Sequence, residues 1–159
     1  MRRASVRLRP LREDEFAAWL AEHVDWYAGD IAAHGGMPAY AARRKAEADT
    51  KALWPQGFAT PGSTVLAVEA DGIRVGSIWF APREHHGVAY AYLYAIVLDD
   101  RHRGKGLGRE AMRLLEAEVK ARGLGRIELN VFAGNDVARG LYRALGYEET
   151  AVHMAKDVE

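Results

Sequence analysis

Three glycines, at positions 104, 106 and 108, stand between an apolar run and a long amphipathic segment. Because glycine has no Cβ, a bound group can approach such a backbone closely, and unusual φ values cost little. The first turn of the helix that follows offers unpaired N–H groups and a partial positive charge, which together attract anions. The cations beside the glycines are Arg101, Arg103, Lys105 and Arg109. The pattern predicts a loop that binds a phosphate or pyrophosphate group.

Three kinds of glycine-rich phosphate loop can be compared with this one. A Walker loop needs a Ser or Thr after its lysine to hold magnesium, whereas Lys105 is followed by Gly106. A dinucleotide loop follows the first strand and needs a further glycine where this chain has Arg109. The third kind fits, because Arg103-x-x-Gly106-x-Gly108 resembles the acyl-coenzyme A loop of the GNAT superfamily of N-acyltransferases.

A second stretch of the chain supports this resemblance. The residues similar to the second signature of that family are Asn135, Ala138, the pair Leu141-Tyr142 and the run Leu145-Gly146-Tyr147. The two ends of the chain, Arg7–Leu11 and His153–Lys156, are also similar to the ends of such proteins. The resemblance covers essentially the whole chain, and it implies a GNAT-like α/β fold whose central strands splay apart.

The resemblance implies a cosubstrate and a set of residues that hold it. The cosubstrate is acetyl-coenzyme A, transfer is by direct attack of an amine in a ternary complex, and no metal is required. The residues that correspond to the family's coenzyme site are Ile96, Val97 and Leu98 on the strand, Arg103, Gly104, Lys105, Gly106, Leu107, Gly108 and Arg109 in the loop, and Asn135 and Tyr142 beyond it. Tyr142 corresponds to the tyrosine that protonates the leaving thiolate, and the N–H of Leu98 can stabilise the carbonyl oxygen as negative charge develops.

The general base is harder to assign. Many relatives carry a glutamate on the fourth or fifth strand, but the run from Val88 to Leu98 has no carboxylate, and Asn130 occupies the position where some relatives have Glu. The nearest carboxylate on that face of the fifth strand is Glu128. We therefore expect a water chain along Tyr92, Tyr94 or Glu128 to remove the proton from the amine.

The acceptor is expected to depend on the stretch between the first two helices, Asp25–Pro38, and on Ala81–Gly87. The candidate residues are Trp26, Tyr27 and Asp30, together with Tyr92, Tyr94 and Asn130. Asp30 could attract a cationic amine, although a solvated helix face also explains an acidic residue. Core packing equally explains Trp26 and Tyr27, and an aromatic ladder explains the tyrosines, which the alternation places on one strand face with Ile96 and Leu98.

The predicted element order is β-α-α-β-β-β-α-β-α-β, which favours a mixed sheet with helices on both faces. Gly29 and the run His34–Pro38 are expected to break the first helical region, and Ala81–Gly87 is expected to be a loop. An Asp-Gly pair at positions 71 and 72 predicts a hairpin. Tyr147–Lys156 is expected to be a final strand.

The composition limits the classes of function. The chain has 159 residues, no net charge and no cysteine, so residues 1–159 are expected to form a single domain without disulfides or a thiol nucleophile. Nothing indicates a nucleic-acid or membrane partner, and the N-terminal residues lack the apolar core of an export signal, so a cytoplasmic location is expected. The expected partner is a small-molecule or peptide amine, and the chain could be a monomer or a homodimer.

Two other functions stay open on the sequence alone. The chain could be an acyl-coenzyme A sensor that binds without catalysis, which the missing glutamate favours and which Asn135 and Tyr142 oppose. It could also be an acyltransferase that uses another acyl donor or a protein or hydroxyl acceptor.

Overall fold

The computed structural model describes residues 2–159. Within them, five strands and four α-helices follow one another. The strands are β1 (Val6–Pro10), β2 (Thr64–Ala70), β3 (Ile73–His85), β4 (Val88–Leu98) and β5 (Ile127–Leu129), and the helices are α1 (Glu13–His34), α2 (Ala39–Leu53), α3 (Leu107–Ala121) and α4 (Asp136–Ala144).

The strands form one mixed sheet in the order β1-β2-β3-β4-β5. Neighbours are antiparallel except β4 and β5, which are parallel and joined through α3. The pairing of β4 with β5 is short, from Ala91 opposite Ile127 to Leu93 opposite Leu129. Beyond Leu93, β4 continues beside β3 alone, so the two parallel strands open into a wedge.

Helices cover both faces of the sheet, as expected. On one face, α3 packs its apolar stripe, including Ala111, Met112 and Leu115, against β2, β3 and β4. On the other face, Trp19 of α1 and Trp54 pack against Trp79 of β3. The α/β class, the mixed sheet and the splayed central strands are therefore confirmed.

The first helical region is not broken at Gly29, and that prediction is wrong. α1 continues through Gly29 to His34. A glycine inside a helix costs about 1 kcal/mol. Burial of Ile31 against α2, where it is 1% exposed, outweighs that cost.

The predicted loop Ala81–Gly87 is also wrong, because β3 extends to His85 and only a tight turn at His86 and Gly87 remains. Both turn residues have positive φ, as two-residue hairpin turns require. Pro82 is tolerated because β2 ends opposite Phe80, so β3 has no neighbour on that side to accept a hydrogen bond from position 82.

The predicted final strand Tyr147–Lys156 does not form. The backbone of Tyr147 donates to Tyr142 and ends α4, and within residues 2–159 no strand pairs with the segment that follows. An extended segment without a hydrogen-bonded neighbour is not a strand, whatever its side-chain pattern. The structure also contains no helix, among residues 2–159, that is long and apolar enough to cross a bilayer.

Candidate active site

A bulge in β4 shapes the wedge between β4 and β5. Trp79 of β3 pairs with Ala95, but the next residue, Phe80, pairs with Leu93, so Tyr94 has no partner. The extra residue reverses the alternation of side chains along β4. Tyr94 packs on the α1 side with Trp79, whereas Ile96 and Leu98 pack on the α3 side. The expectation that the tyrosines share one face with Ile96 and Leu98 is therefore wrong.

The bulge also sets which backbone groups of β4 face the wedge. The N–H of Asp99 donates to the carbonyl of Val75 on β3 at 2.8 Å. Because alternate residues of an antiparallel strand bond to the same neighbour, Val97 also directs its backbone groups toward β3. Ile96 and Leu98 then direct theirs away from β3, and the Leu98 carbonyl accepts from Nε of Arg103 at 3.3 Å. Of the three strand candidates, Ile96 and Leu98 present free backbone groups to the wedge.

The glycine loop closes the wide end of the wedge. After a short 3-10 turn at Asp100–His102, the chain passes through Gly104 and Gly106, both with positive φ, and Gly106 is the N-cap of α3. No side chain caps this helix, so its first N–H groups are open to an anion. Arg101, Lys105 and Arg109 are exposed around it.

The loop backbone suits a pyrophosphate group. A Cβ placed on Gly104 or Gly106 would meet no atom within 4 Å, so open space lies above both glycines. At Gly108 a Cβ would lie 3.5 Å from Leu98 and 3.6 Å from Leu141, because the first turn of α3 packs between β4 and α4. Arg103, Leu107 and Gly108 therefore join the loop to its scaffold, while the other loop candidates face open space.

Helix α4 brings the second group of candidates to the wedge. Oδ1 of Asn135 accepts from the N–H of Ala138 at 3.2 Å and caps the helix. The amide NH2 of Asn135 can still donate to another group. Two turns later Tyr142 packs against the core below α3, with its ring centroid 5.6 Å from that of Tyr147.

The phenol of Tyr142 stays protonated at neutral pH. Burial raises its pKa to about 12, and the nearby carboxylate of Asp30 raises it further by a smaller amount. A protonated phenol can donate a proton or a hydrogen bond to an anion that forms beside it.

The last turns of α1 form the other wall of the site. Tyr27 and Ile31 pack with Phe132, which follows β5, and the ring of His34 lies 6.5 Å from that of Phe132. Asp30 lies one turn before His34 with a side chain that is 19% exposed, and its Oδ1 is 3.9 Å from Nε2 of His34. Burial raises the pKa of Asp30, and His34 offsets part of that rise.

The β4 tyrosines are fixed by polar contacts on this same side. Nδ2 of Asn130 donates to the hydroxyl of Tyr92 at 2.8 Å, and Arg83 donates to the hydroxyl of Tyr94 at 2.8 Å. The guanidinium of Arg83 also lies 3.8 Å from the ring centroid of Tyr92. Tyr94 stacks on Trp79 at 4.3 Å, so it packs in the core as well as lining the site.

Two other sequence candidates have partners of their own. Nε of Arg126 donates to Glu128 at 2.9 Å, so this carboxylate is already paired on the α1 side of β5. Trp26 is half-buried, and its ring lies 5.8 Å from that of His23 one turn earlier. Tyr27 donates its hydroxyl to Asp49 of α2 at 3.0 Å, and burial raises the pKa of this phenol to about 12.

Three residues at or next to the site were missed by the sequence reasoning: His23, His34 and Arg83. Arg83 was placed in a loop, and only the extended hairpin brings it over Tyr92 and Tyr94. His34 was read as part of a helix-breaking run. His23 is buried between Trp19 and Trp79, and its burial lowers its pKa to about 4, so it is neutral at pH 7. The four-residue spacing of Asp30 and His34 on one helix was the available signal for that pair.

Comparison with known proteins identifies the family. The model of the acetyltransferase (GNAT) family matches residues 36–147, which include the loop, the wedge and α4. This chain belongs to the GNAT acetyltransferase family. It is thus an N-acetyltransferase enzyme, and membership of the GNAT family implies the use of acetyl-coenzyme A.

Two curated proteins of Bacillus subtilis (strain 168) resemble this GNAT enzyme over almost its whole length. The uncharacterized N-acetyltransferase YycN is 29% identical over 154 residues, which cover 96% of this chain and 98% of YycN. The uncharacterized N-acetyltransferase YdgE is 29% identical over 152 residues, which cover 95% of this chain and 97% of YdgE. The crystal structure of YycN matches this structure with a TM-score of 0.90 at 28% identity, over 98% of this chain and 99% of that one.

Proposed function

We propose that this enzyme transfers an acetyl group from acetyl-coenzyme A to a primary amine bound between α1 and the β4–β5 wedge, with Tyr142 as the acid and Asp30 as the base. The observation that carries the proposal is the uncapped, open N-terminus of α3, which packs against α4, the helix that carries Tyr142. The carboxylate of Asp30 on α1 acts electrostatically on the phenol of Tyr142. The carboxylate of Asp30 can take a proton from the amine, and the phenol of Tyr142 can give one to the leaving thiolate. Amine acetylation requires both proton transfers.

The donor side is built from the loop and the strand that precedes it. The first N–H groups of α3, with Arg103 to Arg109 around them, would hold the pyrophosphate, and Ile96, Leu98 and Asn135 would hold the pantetheine arm. Bound acetyl-coenzyme A supplies a thioester carbonyl that the amine attacks directly. The N–H of Leu98, which points away from β3, is the donor available to stabilise the carbonyl oxygen.

Tyr142 is suited to the acid role by its environment. Its phenol is protonated over the whole neutral range, because burial raises its pKa to about 12. Tyr147 has a similar ring beside it, but the hydroxyl of Tyr147 is buried without a partner among residues 2–159. Of the two, Tyr142 corresponds to the family tyrosine that protonates the leaving thiolate.

Asp30 is a better base than Glu128, which was the first expectation from the sequence. Glu128 already accepts from Nε of Arg126 at 2.9 Å, so its carboxylate is engaged with another partner. Asp30 is partly buried, and burial raises its pKa, so its carboxylate accepts a proton more readily than an exposed aspartate does. A water chain along Tyr92 would still connect the amine to Asp30 if they do not touch.

The acceptor site favours a cationic amine of a small molecule or peptide. Asp30 supplies a negative charge, and Tyr27 lies three residues earlier on the same helix. Aromatic faces and a carboxylate together attract an ammonium group. His23, although neutral, supports this wall by packing against Tyr27 at 6.0 Å.

The experiment that tests the proposal is a screen of primary amines and peptides with acetyl-coenzyme A, followed by thiol release and by the mass of the product. Turnover on cationic amines, with an added acetyl group on nitrogen, supports the proposal. Tight coenzyme binding without turnover on any amine would favour the sensor, and acylation of a hydroxyl or use of a longer acyl donor would favour the other alternative. The cytoplasmic location expected from the sequence stays a prediction.

A further inference from the structure

The guanidinium of Arg83 is held in place without an ion pair. It donates to the hydroxyl of Tyr94 at 2.8 Å, and its Cζ lies 3.8 Å from the ring centroid of Tyr92. Within residues 2–159 no carboxylate pairs with it, whereas Arg74 of the same strand is paired with Glu22 at 3.3 Å. Stacking occupies a face of the guanidinium, so its in-plane N–H groups, apart from the one on Tyr94, stay free to donate.

Arg83 stands over the narrow end of the wedge between β4 and β5. The hydroxyl of Tyr92, whose ring lies under the guanidinium, accepts from Nδ2 of Asn130 at 2.8 Å. Asn130 is the residue after β5, and the pairing of β4 with β5 ends at Leu93 opposite Leu129. Tyr92 therefore reaches from β4 toward β5 at the point where the two strands part, and Arg83 is exposed to solvent above it.

Arg83 also lies on the side of the sheet where the acceptor is proposed to bind. Its partner Tyr94 stacks on Trp79 at 4.3 Å, and the ring of Trp79 lies 4.9 Å from that of His23 on α1. Two helical turns after His23 on the same helix comes Asp30, which a spacing of seven residues places on a similar face. This side of the molecule thus carries a free cation on the hairpin and an acidic group on α1.

We propose that Arg83 binds a carboxylate of the acceptor, so that the substrate is a primary amine that also carries a free carboxylate, as an amino acid or a short peptide does. This inference rests on the proposed function, which supplies the amine. A guanidinium with free in-plane N–H groups binds a carboxylate through two parallel hydrogen bonds. One guanidinium balances one negative charge, which suits a carboxylate better than a phosphate group with a charge of about −1.5 to −2.

The length of β4 between the two ends of the site indicates how the acceptor is built. Leu98, whose N–H is available to the thioester carbonyl, is four residues beyond Tyr94, or about 13 Å along an extended strand. The amine has to reach the thioester while the carboxylate reaches Arg83. The two groups of the acceptor are therefore separated by several bonds, as in the side chain of lysine or in a dipeptide, and not adjacent as in glycine.

Matched acceptors test the inference by turnover. Lysine and alanyl-alanine, each as the free acid and as the C-terminal amide, are compared by thiol release from acetyl-coenzyme A. Each free acid should have a KM about 10- to 100-fold below that of its amide, which is the range for hydrogen bonds to a charged group. Arg83→Gln should raise the KM of the free acids to that of the amides and leave kcat unchanged. Arg83→Lys should restore only part of the preference, because an ammonium lacks the planar fork.

Arg3→Gln is the matched control for the loss of one positive charge. Arg3 is exposed and precedes β1, the edge strand away from the wedge. Its replacement should change neither the KM of the free acids nor that of the amides. An equal rise in KM in Arg3→Gln and Arg83→Gln would show that net charge, and not the hairpin site, sets the preference, and it would overturn the inference.

A binding measurement separates this inference from the proposed function. Titration calorimetry on the enzyme with coenzyme A bound gives the Kd of the same four compounds without turnover. Tighter binding of the free acids, lost in Arg83→Gln, supports the carboxylate site even if no amine is acetylated, in which case only the proposed function fails. Equal binding and equal turnover of acids and amides, or a preference that survives Arg83→Gln, would overturn the inference and leave amine acetylation standing.

Discussion

Replacement of Gly106 by tryptophan should abolish coenzyme binding at a modest cost in stability. Gly106 has φ of +77° at the N-cap of α3, and no atom lies within 4 Å of a Cβ built there. An indole at this position has room, and that room is the space above the first N–H groups of the helix. Gly108 is a poorer choice, because Leu98 and Leu141 already crowd its Cβ position.

Gly123 provides a matched control for the backbone strain. It has φ of +80°, nothing lies within 4 Å of its Cβ position, and it follows the opposite end of α3. A side chain in the left-handed region costs about 1–2 kcal/mol. Gly106→Trp and Gly123→Trp should therefore lose similar free energies of unfolding, measured with urea, and Tm should fall by about 2–8 °C in each.

The two variants should differ in affinity for acetyl-coenzyme A. A hydrogen bond to a charged group contributes about 1.5–3 kcal/mol, so loss of two helix N–H bonds to pyrophosphate costs about 3–6 kcal/mol. This corresponds to at least about 100-fold in Kd, which titration calorimetry can follow. Binding by Gly106→Trp within about threefold of the parent, a difference below 1 kcal/mol, would refute the assignment of the loop. Equal losses in both variants would show that strain rather than site geometry is responsible.

Three other changes test the acid, the buried histidine and an unpaired hydroxyl. Tyr142→Phe should lower kcat about 100-fold or more, because the proton donor to the thiolate is lost, whereas Tyr147→Phe should keep kcat near that of the parent; equal rates for both variants would exclude the acid role. His23 has its pKa lowered to about 4 by burial, so the unfolded chain binds the extra proton between about pH 6.5 and 4, and the free energy of unfolding should fall by up to about 3 kcal/mol as pH decreases through that range. His23→Phe should flatten this part of the profile, and an unchanged slope would contradict it. Thr50→Val should raise the free energy of unfolding by about 1 kcal/mol, because the Thr50 hydroxyl is buried without a partner among residues 2–159; a decrease would indicate a bond that the structure does not contain.

The glycine loop and α4 were predictable because their signals are local. The N-cap Gly106, the helix that follows it and the cap at Asn135 depend on residues within a few positions of one another. The bounds of α2 follow in the same way from Pro38 before it and Pro55 after it. Fold class then followed from the order of the elements and from two signatures.

Contacts between distant elements were not predictable from such signals. The bulge at Tyr94 depends on how β3 and β4 pair, and it places the side chain of Ile96 on the α3 side of the sheet instead of the side of Tyr94. Pro82 is typical of a loop, and it is tolerated in β3 only because β2 has already ended. The contact of His34 with Phe132 and the pairing of Asp30 with His34 depend on α1 continuing through Gly29, which a local rule argues against.

The failed final strand has a different origin. The segment Tyr147–Lys156 was predicted to be a strand, but a strand also needs a hydrogen-bonded neighbour. The outer edge of β5 is open, yet the segment does not pair with it within residues 2–159. A side-chain pattern can indicate that a segment is able to form a strand. Whether the strand forms depends on a neighbouring strand, which the pattern does not describe.

The pH dependence of kcat in Asp30→Asn, with Glu128→Gln as the paired control, tests the central claim most directly. The amine used is the best acceptor from the screen. Because burial raises the pKa of Asp30, kcat of the parent should fall as pH decreases through a value above the usual 3.9 of an aspartate. Asp30→Asn should lose about 100-fold in kcat and lose that acidic limb, while Glu128→Gln keeps both. A parent-like kcat and profile in Asp30→Asn, or their loss in Glu128→Gln, would contradict the assignment.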